Sequence, residues 1–279
     1  MERWEHVRTL DVAQRATLLA ILAEQEIALG REAIDENRRR SIQHGSTGDY
    51  WLKYRDDELV NVAVIERGPH TPTLELVGGN FDLSLYETLA REGSAEVLWW
   101  MRDGSSPSIP FQSVRSLRYL EARLDSISNP SPLAHVRGFV AGADDAEWID
   151  ANNAAFADHP EQGRWEIAEL HSRLEEQWFD PSGFFVLMDE GKIAASCWTK
   201  IHELPVVRTG EIYVIFVTPA FQGRGYGEVI LHHGLSSIRS RGVTVASLYV
   251  EDTNEAALNL YAKYGFTTKR LDQLVSINR

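Results

Sequence analysis

Cysteine is all but missing from this chain of 279 residues, in which Cys197 stands alone. One thiol cannot close an intrachain disulfide, so a disulfide-stapled framework is excluded and a reducing cytoplasm is the expected setting. Long apolar runs are lacking too. No stretch reaches the roughly 18 apolar residues that a membrane-crossing helix needs, and the opening Met1-Glu-Arg-Trp-Glu-His-Val7 has no apolar signal-peptide core. Positive charge is in short supply: 28 Lys and Arg face 41 Asp and Glu, a formal net charge of -13. Proteins that hold nucleic acid usually show the opposite imbalance, so neither nucleic acid nor a membrane is an expected partner. The acidity suits a small-molecule amine instead. A monomer is the expected unit, although sequence alone leaves the oligomeric state open. What is present, 43% hydrophobic and 25% charged residues, is the composition of a globular protein. Its length favours two domains of ~100–150 residues.

Two common nucleotide signatures are also absent. A P-loop needs G-K-[ST], and a Rossmann turn needs a third glycine three residues past the second. The segment Val214-Ile-Phe-Val-Thr-Pro-Ala-Phe-Gln-Gly-Arg-Gly-Tyr-Gly-Glu228 has glycines at 223, 225 and 227 instead. It reads as a strand running into a glycine-rich turn and then a helix. Backbone amides at such a turn, together with the partial positive charge of a helix N-terminus, suit a phosphate-bearing ligand. Pro219 starts the turn. The plain alternative is a turn that merely joins strand to helix.

Around this segment the pattern divides in two. Residues 6–45 read as mostly helical, with strands at 50–54, 59–65 and 73–77, a helix at 83–91, a strand at 95–101 and a helix from Phe111 to Leu124. Ser126-Ile-Ser-Asn-Pro-Ser-Pro-Leu133 is a linker signal. The expected division is therefore residues 1–125, a linker at 126–134, and a second domain at 135–279. Past the linker come a strand at 136–140, helices at 143–156 and 166–176, and strands at 183–188, 193–201 and 211–217. A helix at 227–241, a strand at 246–250, a helix at 255–264 and strand material at 266–277 complete it. The first half follows a similar order loosely, which suggests a tandem duplication.

Leu248-Tyr-Val-Glu-Asp-Thr-Asn-Glu-Ala-Ala-Leu-Asn-Leu-Tyr-Ala-Lys-Tyr-Gly-Phe266 is a second strand–turn–helix element, in which Asp252 and Glu255 have capping-box spacing. Tyr261 lies seven residues past Asn254, nearly two turns along one helix face. Glu211 begins the strand that leads into the glycine turn. A carboxylate there could take a proton from an ammonium, which has no lone pair to attack with until it is deprotonated. A solvated strand-start residue is the plain alternative. Cys197 lies in the apolar Ala194-Ala-Ser-Cys-Trp198 without an activating base, so it reads as a buried structural residue. His159, His202, His232 and His233 show no metal-site spacing.

The spacing Gln222-Gly-Arg-Gly225-Tyr-Gly227 resembles the Q/R-x-x-G-x-G/A loop of the GNAT N-acetyltransferases, and the second element resembles the same family's final helix. The resemblance implies two GNAT-like α/β domains, each a mixed sheet flanked by helices, and acetyl-CoA as cosubstrate with no metal. It places Ile215, Phe216 and Val217 along the pantetheine arm and Gln222, Gly223, Arg224, Gly225, Tyr226, Gly227 and Glu228 around the pyrophosphate. Asn254, Glu255, Ala256, Ala257, Leu258 and Asn259 would complete the coenzyme site. Tyr261 would be the acid that protonates the departing thiolate, and Glu211 the base.

Three further stretches, Asn152-Asn-Ala-Ala-Phe-Ala-Asp-His-Pro-Glu-Gln-Gly163, Trp178-Phe-Asp-Pro-Ser-Gly183 and Trp198-Thr-Lys-Ile-His202, resemble the mycothiol synthase family of actinobacterial tandem-GNAT enzymes. That family acetylates the cysteinyl amine of a cysteinyl-glucosaminyl-inositol. The likeness implies that Glu161, Lys200, Glu211 and Tyr249, with Glu36 from the first half, face this acceptor. After Leu74-Glu-Leu-Val77 the first half reads Gly78-Gly-Asn-Phe-Asp-Leu-Ser84 and lacks the loop spacing, so the first copy is expected to be degenerate and to bind no acetyl-CoA. Other readings are an acetyltransferase for a different amine, such as an aminoglycoside or a peptide terminus, and a non-catalytic acetyl-CoA sensor. A sensor would need neither Glu211 nor Tyr261.

Overall fold

The structure is a computed structural model that describes residues 2–66, 72–78, 83–91, 96–102, 110–125, 135–157, 159, 162–204 and 207–278. The chain begins with β1 (Glu2–Val7), α1 (Val12–Leu29), α2 (Glu36–His44), β2 (Asp49–Arg55), β3 (Glu58–Glu66) and β4 (Thr73–Val77). Next come α3 (Leu83–Arg91), β5 (Glu96–Met101), β6 (Gln112–Arg123), β7 (Val136–Gly138), α4 (Asp145–Ala155) and α5 (Ile167–Leu174). β8 (Phe184–Asp189), β9 (Lys192–Leu204), β10 (Val207–Val217), α6 (Tyr226–Ser240), β11 (Val245–Glu251), α7 (Glu255–Lys263) and β12 (Thr267–Asn278) complete it.

Two compact units result. One comprises Met1–Arg118, Leu204–Val206 and Arg270–Arg279, the other Tyr119–Glu203 and Val207–Lys269. Neither is contiguous in sequence. The order strand, helix, helix, three strands, helix, strand runs from β1 to β5 and again from β7 to β11. The strand closing each repeat then joins the other repeat's sheet: β6 neighbours β11, and β12 pairs antiparallel with β5 from Gln273↔Met101 to Asn278↔Glu96. The division expected from sequence keeps all of 135–279 together, and its linker at 126–134 lies outside the described residues.

In the first unit the strand order is β1-β2-β3-β4-β5-β12. Leu18, Leu22 and Ile42 of α1 and α2 pack on one face with Tyr50, Leu52, Val62 and Val64. Leu85 and Leu89 of α3 pack on the other with Trp51, Ala63, Trp99 and Val275. Asp11 caps α1 by a reciprocal box with Gln14, and Gly30 (φ 66°) ends it in the left-handed region. Two expectations are corrected here. Residues 2–7 form a strand, since Glu2 to Val7 pair in full register with Arg55 to Tyr50. Residues 112–123 are a strand and not a helix. The mix of apolar and basic positions from Phe111 to Leu124 reads as helical, whereas Leu120, Ala122 and Leu124 enter the core of the second unit at the strand period of two.

The second unit has the strand order β6-β11-β10-β9-β8-β7. One face packs under α6 and α7 through Leu120, Ile212, Leu235, Leu248 and Tyr261. The other packs under α4 and α5 through an aromatic stack, Phe139 on Phe184 at 4.1 Å and Phe184 on Trp198 at 4.3 Å, with the Trp148 indole donating to Ser196 Oγ at 2.8 Å.

Buried charge in the first unit is dense. Glu75 accepts from Arg102 Nε at 2.7 Å and from the Asp35 amide at 2.7 Å, while Asp272 accepts from Arg102 at 3.2 Å and Arg270 at 2.9 Å. Burial, opposed by Arg102 and helped by the Asp35 carboxylate, pushes Glu75 up to about 7. A folded-state value above the unfolded one means that protonation favours the fold. Its contribution is complete below about pH 4.5 and is lost as the pH rises through about 7. Glu75→Gln, neutral throughout, should flatten this part of the stability profile. Urea unfolding of both proteins from pH 4.5 to 8 tests it, and parallel profiles would contradict it.

Candidate active site

The site grows from a break in β10. Ile212 packs under α6 and α7, Tyr213 and Val214 both pack on the aromatic face, and alternation then resumes through Ile215, Phe216 and Val217. Two successive side chains on one face mark a bulge. In β9, Leu187 pairs with Ala195 and Met188 with Ile193, so Ala194 is an extra residue, and its carbonyl accepts from the Thr218 amide at 2.9 Å. β10 and β11 run parallel and pair at Gly210 with Ala246 and at Glu211 with Ser247. Beyond those pairs they part. Parted parallel strands leave a crevice at their carboxyl ends, where open α/β sheets receive ligands.

The chain leaves β10 through a 3-10 turn at Pro219–Phe221. Gly223 (φ 79°) and Gly225 (φ 81°) take the left-handed region, and Gly225 caps α6. An added β-carbon at either position meets nothing within 4 Å, so the backbone angle rather than crowding requires glycine. Among the described residues, no backbone acceptor takes the amides of residues 223 to 227. Donors at the start of a 15-residue helix are thus left for an outside acceptor. Arg224 is tied to Asp189 at 2.7 Å and Glu190 at 3.1 Å, and the Tyr226 hydroxyl donates to Asp189 at 2.6 Å. Gln222 and Glu228 are exposed, with Glu228 paired to Lys263 at 3.3 Å.

Glu211 and Ser247 form the last rung before the strands part. Ala246, Leu248 and Val250 face α6 and α7, so Ser247, Tyr249, Tyr119 and Glu211 fall on the opposite face by strand alternation. The Tyr119 ring lies 5.1 Å from that of Tyr249. Burial pushes the Tyr119 phenol up, while its hydrogen bond to Ser247 acts against this. His202 on β9 meets Glu211 Oε2 through Nε2 at 2.6 Å. From sequence, His202 reads only as the end of the family-like stretch Trp198–His202, without metal-site spacing and without a role of its own. The signal that could have found it is the short β9–β10 connection, which lays the end of one strand beside the start of the next.

Tyr261 belongs to the other face, where it packs in the core with its ring 5.8 Å from Phe266. Burial pushes its phenol up, which keeps it protonated. Asn254 is the cap of α7, its side chain accepting from the Ala257 amide at 3.1 Å. This corrects the box expected from Asp252 and Glu255, because the capping side chain must sit immediately before the first helical residue. Glu255, Ala256, Ala257, Leu258 and Asn259 form the first turns of α7. Lys200 is 4% exposed, its ammonium 4.8 Å from the centre of the Trp178 ring and 5.8 Å from that of Tyr213. A solvated strand-end lysine is therefore excluded. Glu36 opens α2 in the first unit, Glu161 lies outside the described residues, and Cys197 is fully buried with its thiol pushed up by burial. The larger described cleft, about 930 Å³, shares only Glu228 with these residues. Among the described residues no group of three or more His, Cys, Asp or Glu could hold a metal ion.

The acetyltransferase (GNAT) family pattern matches residues 148–266. A mycothiol acetyltransferase of Streptomyces griseus is 35% identical over 283 residues, covering 94% of this chain and 92% of that protein. A solved GCN5-related N-acetyltransferase from Sphaerobacter thermophilus aligns with a TM-score of 0.69 at 18% identity, covering 99% of this chain and 95% of the other. A tandem GNAT protein from the clavulanic acid biosynthesis pathway gives 0.65 at 13% identity, covering 99% and 98%. The structural likenesses establish the fold alone.

Burial of Lys200 has a direct consequence. Lys200→Ala removes a methylene stem packed beneath Trp178 and Tyr213 and should cost about 2 kcal/mol of stability. Denaturant titration of the purified variant measures this, and a loss under about 0.5 kcal/mol, typical of surface positions, would contradict the burial.

Proposed function

The chain belongs to the mycothiol acetyltransferase family of GNAT enzymes, and from that premise we propose how its residues carry out the family's reaction. It transfers an acetyl group from acetyl-CoA to the cysteinyl amine of 1D-myo-inositol 2-(L-cysteinylamino)-2-deoxy-α-D-glucopyranoside. One observation carries the reading. The candidate base, Glu211, sits at the last rung before β10 and β11 separate, while the candidate acid, Tyr261 of α7, packs in the core against the opposite face of the sheet. Only a gap in the sheet lets residues on both faces act on one bond.

The turn from Gln222 to Glu228 holds the pyrophosphate through the amides of residues 223–227. Ile215, Phe216 and Val217 line the pantetheine arm, and an amide of this strand polarises the thioester carbonyl as an oxyanion donor. Residues 254–259 close the far side. Glu211 takes the proton of the acceptor ammonium. The freed nitrogen attacks the carbonyl carbon, the carbon–sulphur bond breaks, Tyr261 gives its proton to the thiolate, and the second proton that the nitrogen sheds as it becomes an amide returns to the Tyr261 phenolate. Glu161, Lys200 and Tyr249 bind the acceptor, whose hydroxyls and amide need both donors and acceptors. The first copy, whose sequence lacks the loop spacing after Val77, binds no acetyl-CoA, so the stoichiometry is one per chain. The reaction takes place in the cytoplasm.

Purified protein with acetyl-CoA and this acceptor should release free coenzyme A thiol and yield the N-acetylated product. No turnover, with turnover of another small amine, would move the function to that amine. Tyr261→Phe keeps the ring and should lower kcat by ~10²–10⁴-fold while the acetyl-CoA dissociation constant holds. A variant as fast as the unmodified enzyme in single turnover would remove Tyr261 from the acid role.

A further inference from the structure

Glu211 can act as a base only if its carboxylate is held at the fork with one oxygen turned to the amine. Part of this work falls outside every residue assigned so far. Glu211 and His202 are both largely buried, at 16% and 12% side-chain exposure, and meet at 2.6 Å through Oε2 and Nε2. A carboxylate can only accept, so with Glu211 ionised the imidazole Nε2–H is the donor. Glu211 Oε1 takes no part in that bond.

The pair is also placed across the grain of the sheet. His202 comes from β9, Glu211 from β10, Ser247 from β11 and Tyr119 from β6, which are four neighbouring strands. Ser247 is the Cα partner of Glu211, and Tyr119 is bonded to Ser247. On the β11 side Glu211 thus faces groups already paired with each other. On the β9 side it faces His202, which fastens it.

We propose that His202 is a positioning residue for the acetyl transfer, fixing the Glu211 carboxylate through Oε2 so that Oε1 receives the acceptor's proton. The inference rests on the reading of Glu211 as the base. It concerns orientation within a short charge-assisted bond, a setting in which small misplacements of a reacting group are costly. A purely structural histidine would influence folding and both binding steps, not the chemical step alone.

The test compares His202→Phe, His202→Gln, Glu211→Gln and the double variant His202→Phe/Glu211→Gln, with kcat and KM for the acceptor and calorimetric acetyl-CoA affinity measured on each. Affinity within about twofold of the unmodified enzyme certifies the fold. His202→Phe should lower kcat by ~10–100-fold and change acceptor KM less than kcat. His202→Gln, whose side-chain amide can also donate, should recover most of that loss and serves where the Phe variant is unstable. The double variant should be no slower than Glu211→Gln alone, because His202 acts through Glu211. An impaired Glu211→Gln beside a fully active His202→Phe, or additive losses in the double variant, would overturn the role of His202. A fully active Glu211→Gln would overturn the base assignment itself and the present inference with it.

Discussion

The parting of β10 from β11 after one pair of rungs governs the rest of the second unit. Two neighbouring parallel strands forgo hydrogen bonds that would otherwise continue to their ends, and that loss is tolerated only if another acceptor completes the backbone. The bulges of β9 and β10 redirect their side chains, Thr218 is fastened to Ala194, and the glycine turn feeds α6 so that its first amides stand unpaired beside the gap. The aromatic stack beneath α4 and α5 and the aliphatic cluster beneath α6 and α7 hold the two faces apart. On the proposed reading, the acid and the base reach one thioester from opposite faces of the sheet.

Charge is arranged to suit a polyanionic cosubstrate on an acidic protein. Instead of a basic patch, the glycine turn proposed to hold the coenzyme presents backbone amides and a helix terminus, whose partial charges act at short range. Arg224, the loop's one cation, is shared with Asp189 and Glu190. On the proposed reading, the overall charge of -13 is left to attract a cationic amine.

Much of this was legible in the sequence because it depends on local rules. The strand–turn–helix at 211–228 and the one at 248–266 are contiguous, and their turn residues and periodicity put Gly225 in its turn and Tyr261 in its helix, whereas β10 starts at Val207, so that Glu211 lies inside it, and Asn254 rather than Asp252 caps α7. Lys200 and Tyr261 were assigned by resemblance, and the structure adds that both are buried. Other features depend on pairings between distant segments. Residues 112–123 carry spacings compatible with helix or strand, and only their place beside β11 decides between them. The exchange of β6 and β12 leaves no local mark, nor does the approach of Tyr119 to Ser247. His202 was visible as a residue but not as a partner of Glu211, since a cross-strand contact depends on a hairpin register that composition does not state.

The claim that the gap between β10 and β11 receives the cosubstrate is tested most directly by amide hydrogen exchange with and without acetyl-CoA. The account predicts that added acetyl-CoA slows exchange at residues 215–217 and 223–228 and leaves the strands of the first unit unchanged. Unaltered exchange at those amides, with protection appearing in the first unit instead, would contradict it.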